Sequence, residues 1–370
     1  MSGDALASGA PLFRVGGASE RGALHRKKDL PNQDKIDWYQ PADGGLPVLL
    51  ALSDGHGGDS YIRSHEGSRI AVEVALAVGR ELAEQADDTH ESKVKQEAED
   101  RLLKRIVSEW LERVGEDLRA RPITEEEWES LATAGPKVLD RLQKDERIAY
   151  GATLLLVIVT RRFLVFCQLG DGDILRIDPD GETQIVFPTS PDHVGEDTAS
   201  LCMANAWREF QVQVVPIQDR HPPLILASTD GYSKSFVSTA DFCRVGSDYL
   251  EMIRRDGVDA VQEQIPRFLA EASQGGSGDD ISLGFIRCSE PDDFEAQHAR
   301  MAELERRVSE KADRSETAEI RSHQQETSSA LETLGRRCDR LESRTRKLLL
   351  LCVTSSVLSL VVVFLVVIWW

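Results

Sequence analysis

Short acidic turns stand next to apolar segments of this chain, and their residue types suit the binding of a cation. They are Gln33-Asp34, Asp54-Gly55-His56-Gly57-Gly58, Thr229-Asp230-Gly231 and Gly278-Asp279-Asp280. A strand that ends in Asp-Gly points the carboxylate off the sheet edge, and the glycine allows close approach to the backbone. Each turn alone is equally an ordinary loop. Together, carboxylates from distant strand ends repel one another unless a cation neutralises them, and oxygen ligands without a cysteine or histidine cluster favour Mg²⁺ or Mn²⁺ over Zn²⁺.

The elements that position these turns can be predicted from hydrophobic periodicity. Val48 to Ser53 form a continuous apolar run, which predicts a strand buried on both faces that delivers Asp54 at its end. Apolar residues recur at helical spacing over residues 61–147, so this region is predicted to be mostly helical. Within it, Thr124 and the glutamates that follow resemble an N-cap and an acidic first turn, with their charges on a solvated face.

After Tyr150 the pattern changes to short strands separated by turn residues. Strands are predicted over residues 152–160, 163–169, 173–177, 183–187, 210–215, 224–228 and 281–287, with a helical stretch over 248–271. The first four strands are expected to form a meander of consecutive hairpins. Because strands and helices occur in blocks, the sequence predicts an α+β fold of two sheets with helices packed outside.

Composition excludes some classes of protein. The chain has 44 Lys and Arg against 63 Asp and Glu, a net charge of −19, so nonspecific binding of nucleic acid by a basic surface is not expected. The 6 cysteines form no C-x-x-C pair, which favours a reducing compartment over a zinc site or a disulfide framework. No secretory signal is recognised at the N-terminus.

The C-terminal segment has a different composition. Residues 348–370 are apolar and carry no charge, which predicts a single transmembrane helix, with a buried core helix as the alternative. Basic residues cluster at 336–347, so the positive-inside tendency predicts a tail anchor with the main body on the cytoplasmic side of a membrane. Residues 291–347 are polar and charged. Sparse leucines there give weak heptad spacing, which predicts a helical stalk that is able to form a homodimer.

The acidic turns and several other motifs follow one another in the order of the type 2C metal-dependent protein phosphatases. These motifs are His25-Arg26-Lys27, Asn32-Gln33-Asp34, Asp54-Gly55-His56-Gly57-Gly58, Gly151-Ala152-Thr153, Gly170-Asp171, Thr229-Asp230-Gly231-Tyr232 and Asp279-Asp280-Ile281-Ser282. The chain resembles a bacterial-looking branch of this PPM family over about residues 14–287. The resemblance implies a four-layer α-β-β-α sandwich of two antiparallel sheets. It also implies phosphoserine and phosphothreonine proteins as substrates, supplied by a Ser/Thr kinase.

Carried over residue by residue, the resemblance makes Asp54 the ligand that bridges two Mn²⁺ or Mg²⁺ ions. Asp34, Asp230, Asp279 and the carbonyl of Gly55 complete the set of protein ligands. A water activated between the two metals is then expected to attack phosphorus.

His56 stands two residues beyond Asp54, and the resemblance implies that it protonates the leaving oxygen as a general acid. A lone histidine in a loop is otherwise a structural residue.

Two departures from the family pattern concern charge. A phosphate-binding arginine is expected where Asp29 stands; Arg26 is the nearest substitute, although a basic cluster on a turn is equally a solvated loop. An aspartate ligand of a third metal is expected where Lys234 stands. Asp171 remains a candidate ligand of such a metal, but the lysine predicts that a third ion is weak or absent.

The resulting hypothesis has three parts along the chain. Residues 1–290 form the phosphatase domain, 291–347 the stalk and 348–370 the tail anchor. The leading hypothesis is a membrane-anchored Ser/Thr phosphatase. The alternatives are a pseudophosphatase that binds phosphoproteins without turnover, and a membrane scaffold that dimerises through its stalk.

Overall fold

The computed structural model describes residues 11–188 and 198–289, which form two five-stranded antiparallel sheets covered by helices. The first sheet has the order β1-β10-β9-β6-β7 and contains β1 (Leu12–Glu20), β6 (Asp173–Ile177), β7 (Thr183–Ile185), β9 (Leu224–Ser228) and β10 (Ile281–Ser289). The second has the order β2-β3-β4-β5-β8 and contains β2 (Lys35–Tyr39), β3 (Val48–Ser53), β4 (Leu154–Val159), β5 (Phe163–Leu169) and β8 (Gln211–Pro216).

The helices fall into two groups in the sequence. The first group is α1 (Ala23–Lys28), α2 (Ser64–Ala86), α3 (Glu91–Glu97), α4 (Leu103–Ala120), α5 (Glu125–Ala134) and α6 (Pro136–Lys144). The second is α7 (Asp230–Ser233), α8 (Thr239–Asp256) and α9 (Val258–Gly275). A π-helical segment at Ala98–Leu102 joins α3 to α4, and 3₁₀ turns occupy Glu146–Tyr150 and Ala206–Arg208.

The buried strand β3 explains how the layers are stacked. All of its side chains are buried, as its continuous apolar run predicts. Leu50 and Leu52 belong to the core between the sheets, which also contains Ile225 of β9. Leu49 and Ala51 point to the opposite face and join the core beneath α2 and α4. Because successive side chains of a strand point to opposite faces, β3 contributes to two hydrophobic cores. The predicted α+β fold of two antiparallel sheets with flanking helices is confirmed.

Several local predictions were wrong. The meander ends after β5, because β6 pairs with β9 and β7 in the other sheet and the chain crosses between sheets at Gly170–Gly172. β1 and β2 were not predicted, since Gly16 and Gly17 interrupt β1 and β2 is half exposed. The helical stretch over 248–271 is two helices, separated at Gly257, whose φ of 88° ends α8.

The stalk at 291–347 and the tail at 348–370 lie outside the described residues. Within 11–188 and 198–289, none of the helices combines the length and the apolar character needed to cross a membrane.

Candidate active site

Strand pairing brings the first two acidic turns to one end of the second sheet. β3 ends at Ser53, which pairs with Lys35 at the start of β2. Asp34, just before β2, and Asp54, just after β3, therefore lie at the same end of neighbouring strands. The Gln33 carbonyl accepts from the N–H of Gly55 at 3.1 Å, which ties the two turns together.

The other two acidic turns meet in the same way in the first sheet. β9 ends at Ser228, which pairs with Leu283 close to the start of β10. Asp230 and Asp279 therefore emerge together. Gly231 is needed here, since a Cβ on it would lie 2.2 Å from the Asp280 carbonyl oxygen.

Thr229 joins the two sheets at this end. Its hydroxyl donates to Oδ2 of Asp34 at 2.7 Å and accepts from the N–H of Ser282 at 2.9 Å. Oδ1 of Asp34 is buried and has no hydrogen-bond partner in the described part of the chain. A buried carboxylate oxygen without a donor is costly, so this oxygen suits a cation.

The backbone around Asp54 is held by the Gly151-Ala152-Thr153 motif. The N–H of Asp54 donates to the Thr153 hydroxyl at 3.0 Å, and the Thr153 N–H donates to the Asp54 carbonyl at 2.8 Å. A Cβ at Gly55 would lie 2.6 Å from the Ser64 carbonyl oxygen, so only glycine fits against α2. Hydrogen bonds and close packing therefore hold the backbone where the family resemblance places a bridging carboxylate and a carbonyl ligand.

Negative charge concentrates around Asp54. Burial raises the pKa of Asp54 well above its usual value, and the charges of Asp34, Asp230, Asp279 and Asp171 raise it further. Burial likewise raises the pKa values of Asp34 and Asp230. Carboxylates that resist ionisation together are stabilised by divalent cations, so the donor set fits the Mn²⁺ or Mg²⁺ expected from the sequence.

Asp279 and Asp280 have different surroundings. Asp280 is buried and accepts from the backbone N–H groups of Gly22 and Gln33 at 2.6 Å each, and its Oδ2 lies 2.8 Å from Nδ1 of His25. The side chain of Asp279 is 48% exposed. Asp280 therefore fixes the loops, while Asp279 is available as a ligand.

Lys234 places a positive charge beside these carboxylates. Its ammonium group hydrogen-bonds Oδ2 of Asp230 and lies 3.6 Å from Oδ2 of Asp171. As the side chains stand in the two described ranges, no three acidic, histidine or cysteine residues converge into a ready ion site. A cation that binds Asp230 therefore competes with the Lys234 ammonium for the same carboxylate.

His56 contacts Gly151 through its backbone and Tyr61 through its ring. Its backbone N–H donates to the Gly151 carbonyl at 3.1 Å, and its ring centroid lies 4.8 Å from that of Tyr61. Burial lowers the pKa of the imidazole; the charge of Asp171 raises it and that of Arg141 lowers it. Nε2 is buried with no hydrogen-bond partner in residues 11–188 and 198–289, so no contact in this part of the chain uses that nitrogen.

The comparison with protein families decides the assignment. A profile described as Protein phosphatase 2C matches residues 21–270, which is more than half of the chain and includes nearly all of the site. The chain belongs to the protein phosphatase 2C family. It is a metal-dependent phosphoprotein phosphatase. No curated protein sequence matches it.

Solved structures similar to this phosphatase include bacterial Ser/Thr phosphatases. PstP/Ppp of Mycobacterium tuberculosis is 18% identical, with 75% of this chain and 98% of that chain covered at a TM-score of 0.41. Stp1 of Staphylococcus aureus is 12% identical, with 75% and 95% covered at 0.47. The catalytic domain of PstP with two manganese ions is 17% identical, with 76% and 100% covered at 0.42.

Arg26, the residue that the sequence suggested for phosphate binding, lies on helix α1 of this phosphatase. Arg26 is exposed, and its guanidinium is 4.0 Å from the Glu20 carboxylate. Arg21 bonds Asp29 at 3.3 Å, so the residue at the expected arginine position is itself a partner of an arginine. The role of Arg26 stays a prediction.

The sequence did not indicate that two further residues, Tyr61 and Arg141, lie beside the site. Tyr61 packs on His56, and Arg141 of α6 donates to the Tyr61 hydroxyl at 3.2 Å. They lie 80 positions apart in the chain, inside a region whose many charges resemble a solvated helix surface.

Proposed function

We propose that this phosphatase hydrolyses phosphoserine and phosphothreonine in proteins with two divalent cations, Mn²⁺ or Mg²⁺. Asp34, Asp54, Asp230, Asp279 and the carbonyl of Gly55 would hold them. The observation that carries the proposal is the group of aspartates around Asp54, whose charges add to burial in raising the pKa of Asp54, together with the unpartnered Oδ1 of Asp34. Such a set is stable when ionised only if cations offset it.

When bound, the divalent cations lower the pKa of a water molecule and offset charge that develops on the phosphoryl group. The chain itself supplies position and a proton. Thr229 fixes the orientation of Asp34 through its hydroxyl, and Thr153 fixes the backbone of Asp54. His56, with its Nε2 unpartnered, gives its proton to the oxygen of the leaving serine or threonine.

We also propose that Lys234 takes the position of a third cation. Its ammonium pairs with Asp230 and lies 3.6 Å from Asp171, the remaining candidate ligand of a third ion. A further divalent ion there would have to displace a tethered positive charge or tolerate its repulsion. The proposed stoichiometry is therefore two cations per chain.

The activity is tested with the full chain and three peptides that carry phosphoserine, phosphothreonine or phosphotyrosine. Release of phosphate from the first two in Mn²⁺ or Mg²⁺, and its loss with a chelator, is the expected result. Asp54→Asn should abolish turnover. Asp59→Asn is the matched control, because Asp59 is an exposed aspartate of the same loop. Equal activity of the Asp54→Asn and wild-type chains would contradict the assignment.

The location of the protein is a separate proposal that rests on sequence. Residues 348–370 are proposed to anchor the chain in a membrane, with the phosphatase domain facing the cytoplasm and substrates limited to phosphoproteins near that surface. Flotation of the full chain with lipid vesicles, compared with a chain that ends at residue 347, tests the anchor. Equal flotation of both would contradict it.

The homodimer is proposed for the stalk at 291–347 alone. The molar mass of that segment, measured by sedimentation, separates a dimer from a monomer.

A further inference from the structure

The helical hairpin formed by α5 and α6 is fastened to the loop that carries His56 and Tyr61. Arg63 is 9% exposed and sits two residues after Tyr61. Its Nε and one terminal nitrogen donate to the two carboxylate oxygens of Glu127 on α5, at 2.9 and 2.7 Å. The other terminal nitrogen donates to the Tyr150 hydroxyl at 3.0 Å. A bidentate, largely buried pair of this kind fixes the hairpin relative to the catalytic loop.

The fastened hairpin presents Arg141 to the catalytic loop. Its guanidinium lies 5.5 Å from the centroid of the Tyr61 ring and donates to the Tyr61 hydroxyl at 3.2 Å. The Tyr61 ring in turn lies 4.8 Å from His56. One aromatic ring therefore separates an arginine from the residue proposed to protonate the leaving group.

Arg141 has no acidic partner in the described ranges, unlike the next two basic residues along the chain. Lys144 pairs with Asp140 at 2.7 Å, and Arg147 pairs with Asp145 at 2.7 Å. Within the described ranges, no carboxylate lies within ion-pair distance of Arg141. Its side chain is exposed to solvent.

Packing on Tyr61 alone does not account for this arrangement. A cation over an exposed aromatic ring contributes roughly 0.5–1 kcal/mol, and a single bond to a hydroxyl uses one of the five N–H groups of the guanidinium. Most of the planar fork stays available beside a site that must accept an anion. Arginine is the side chain that binds carboxylate and phosphate oxygens in pairs.

We propose that Arg141 of α6 is a substrate-binding residue that holds an oxyanion of the phosphorylated segment. The inference rests on the proposed phosphoprotein phosphatase function and names a specificity determinant of it. The oxyanion has two sources of the same chemistry: the phosphoryl group itself, or an acidic group that flanks the phosphorylated residue.

The test compares Arg141→Ala, Arg141→Lys and Lys144→Ala in the full chain. Lys144→Ala removes the same charge from the same helix, but from a residue already paired with Asp140. Substrates are p-nitrophenyl phosphate, a phosphothreonine peptide with neutral flanks and the same peptide with acidic flanks. Arg141→Ala is expected to raise KM about tenfold with kcat within about threefold, and Arg141→Lys to recover part of the loss because it keeps charge without the fork.

The substrates separate the two sources. A KM increase for all three, with weaker inhibition by inorganic phosphate, assigns Arg141 to the phosphoryl group. An increase only for the acidic peptide assigns it to a flanking group. Equal KM values in Arg141→Ala and Lys144→Ala for every substrate overturn the proposal. So does a fall in kcat at unchanged KM with a lower melting temperature, which would indicate a structural role.

Direct binding keeps this test independent of turnover. Anisotropy of a fluorescent phosphothreonine peptide, in neutral and acidic versions, reports affinity for each variant. If the wild-type chain binds but hydrolyses neither peptide, the proposed function fails, while an affinity loss confined to Arg141→Ala still supports the oxyanion site. Equal affinities across the variants reject the site even if hydrolysis is intact.

Discussion

At the scale of single residues, the two roles proposed for the loop from Asp54 to His56, cation binding and proton transfer, fall within three positions of the chain. The Asp54 backbone is fixed by Thr153, while the His56 ring rests on Tyr61. Replacement of His56 by alanine should slow hydrolysis of a phosphoserine peptide by about 10²-fold. Hydrolysis of p-nitrophenyl phosphate should change much less, because p-nitrophenolate leaves without a proton.

The pH dependence of kcat/KM provides an independent test of the acid role of His56. Burial lowers the pKa of His56 from 6.5, so its acid form is lost progressively as the pH rises through a value below 6.5. At saturating Mn²⁺, kcat/KM of the wild type for the peptide should therefore fall with pH in that range, and the fall should be absent in His56→Ala. His65→Ala is the control, since His65 is a nearby partly buried histidine outside the loop. Identical profiles for all three would reject the acid role.

Lys234 is a second residue with a direct test. Lys234→Asp replaces the ammonium beside Asp230 and Asp171 with a carboxylate, so repulsion of a further cation becomes attraction. Isothermal titration with Mn²⁺ should detect about one additional ion per chain. Lys234→Met removes the charge without adding a ligand, and it should tighten the existing sites without changing the number of ions. An unchanged number in Lys234→Asp would contradict the proposed role of the lysine.

The acidic residues could be found from sequence, whereas their neighbours could not. Asp54 and Asp230 are each marked by an apolar run that stops at Asp-Gly, which is a local pattern. The contact of Arg141 with Tyr61 joins positions 80 residues apart, and no spacing rule indicates it. The contacts of Glu127 were likewise not predictable. It was predicted on a solvated face, yet it completes the capping box with Thr124 and pairs with Arg63.

At the scale of elements, the tie between α5 and the catalytic loop can be broken by one change. Glu127→Gln keeps the shape of the side chain but removes the charge that the two donors of Arg63 share. Loss of a charged hydrogen bond that leaves a buried partner costs about 1.5–3 kcal/mol, so the free energy of unfolding should fall by that amount. Glu125→Gln is the matched control, because Glu125 is exposed in the same helical turn. Denaturant unfolding of the three chains measures the difference.

The same variant also connects the hairpin to function. If α5 positions α6, loosening it should raise KM for phosphopeptides in Glu127→Gln, because Arg141 loses its fixed place. Equal stability and equal KM in the Glu125 and Glu127 variants would reject the tie.

Strand existence was predictable here, while strand partnership was not. β3, β5, β6 and β9 lie at or within one residue of their predicted bounds because each is a short apolar run between turns. Nothing in the turn at Gly170–Gly172 distinguishes a hairpin from a crossing to the other sheet, since both use glycine and aspartate. The choice depends on which sheet offers β6 a partner, namely β9, which is more than 45 residues farther along the chain.

At the scale of the whole molecule, we expect the aspartates around Asp54 to make the stability of the fold depend on pH and on divalent cations. Burial, together with the charges of Asp280 and Asp230, raises the pKa of Asp34 from 3.8 to about 8, against a lowering by hydrogen bonds from Thr229 and Ser282. The folded state therefore binds this proton more tightly than the unfolded state. Asp34 contributes stability below pH 4 that is lost as the pH rises toward 8.

Asp34→Asn removes the titrating carboxyl group and, with it, a proposed cation ligand. Melting temperatures measured across pH, with and without Mn²⁺, separate these two effects. Without divalent cations, the variant should gain stability relative to the wild type as the pH rises from 5 to 8. With Mn²⁺ at about 100 times its Kd, the wild type at pH 8 should gain about 5 °C or more, and the variant much less. Asp37→Asn, an exposed aspartate on β2, should behave as the wild type in both respects. A variant that follows the wild type at every pH, with and without Mn²⁺, would mean that Asp34 neither carries the strained charge nor binds the cation.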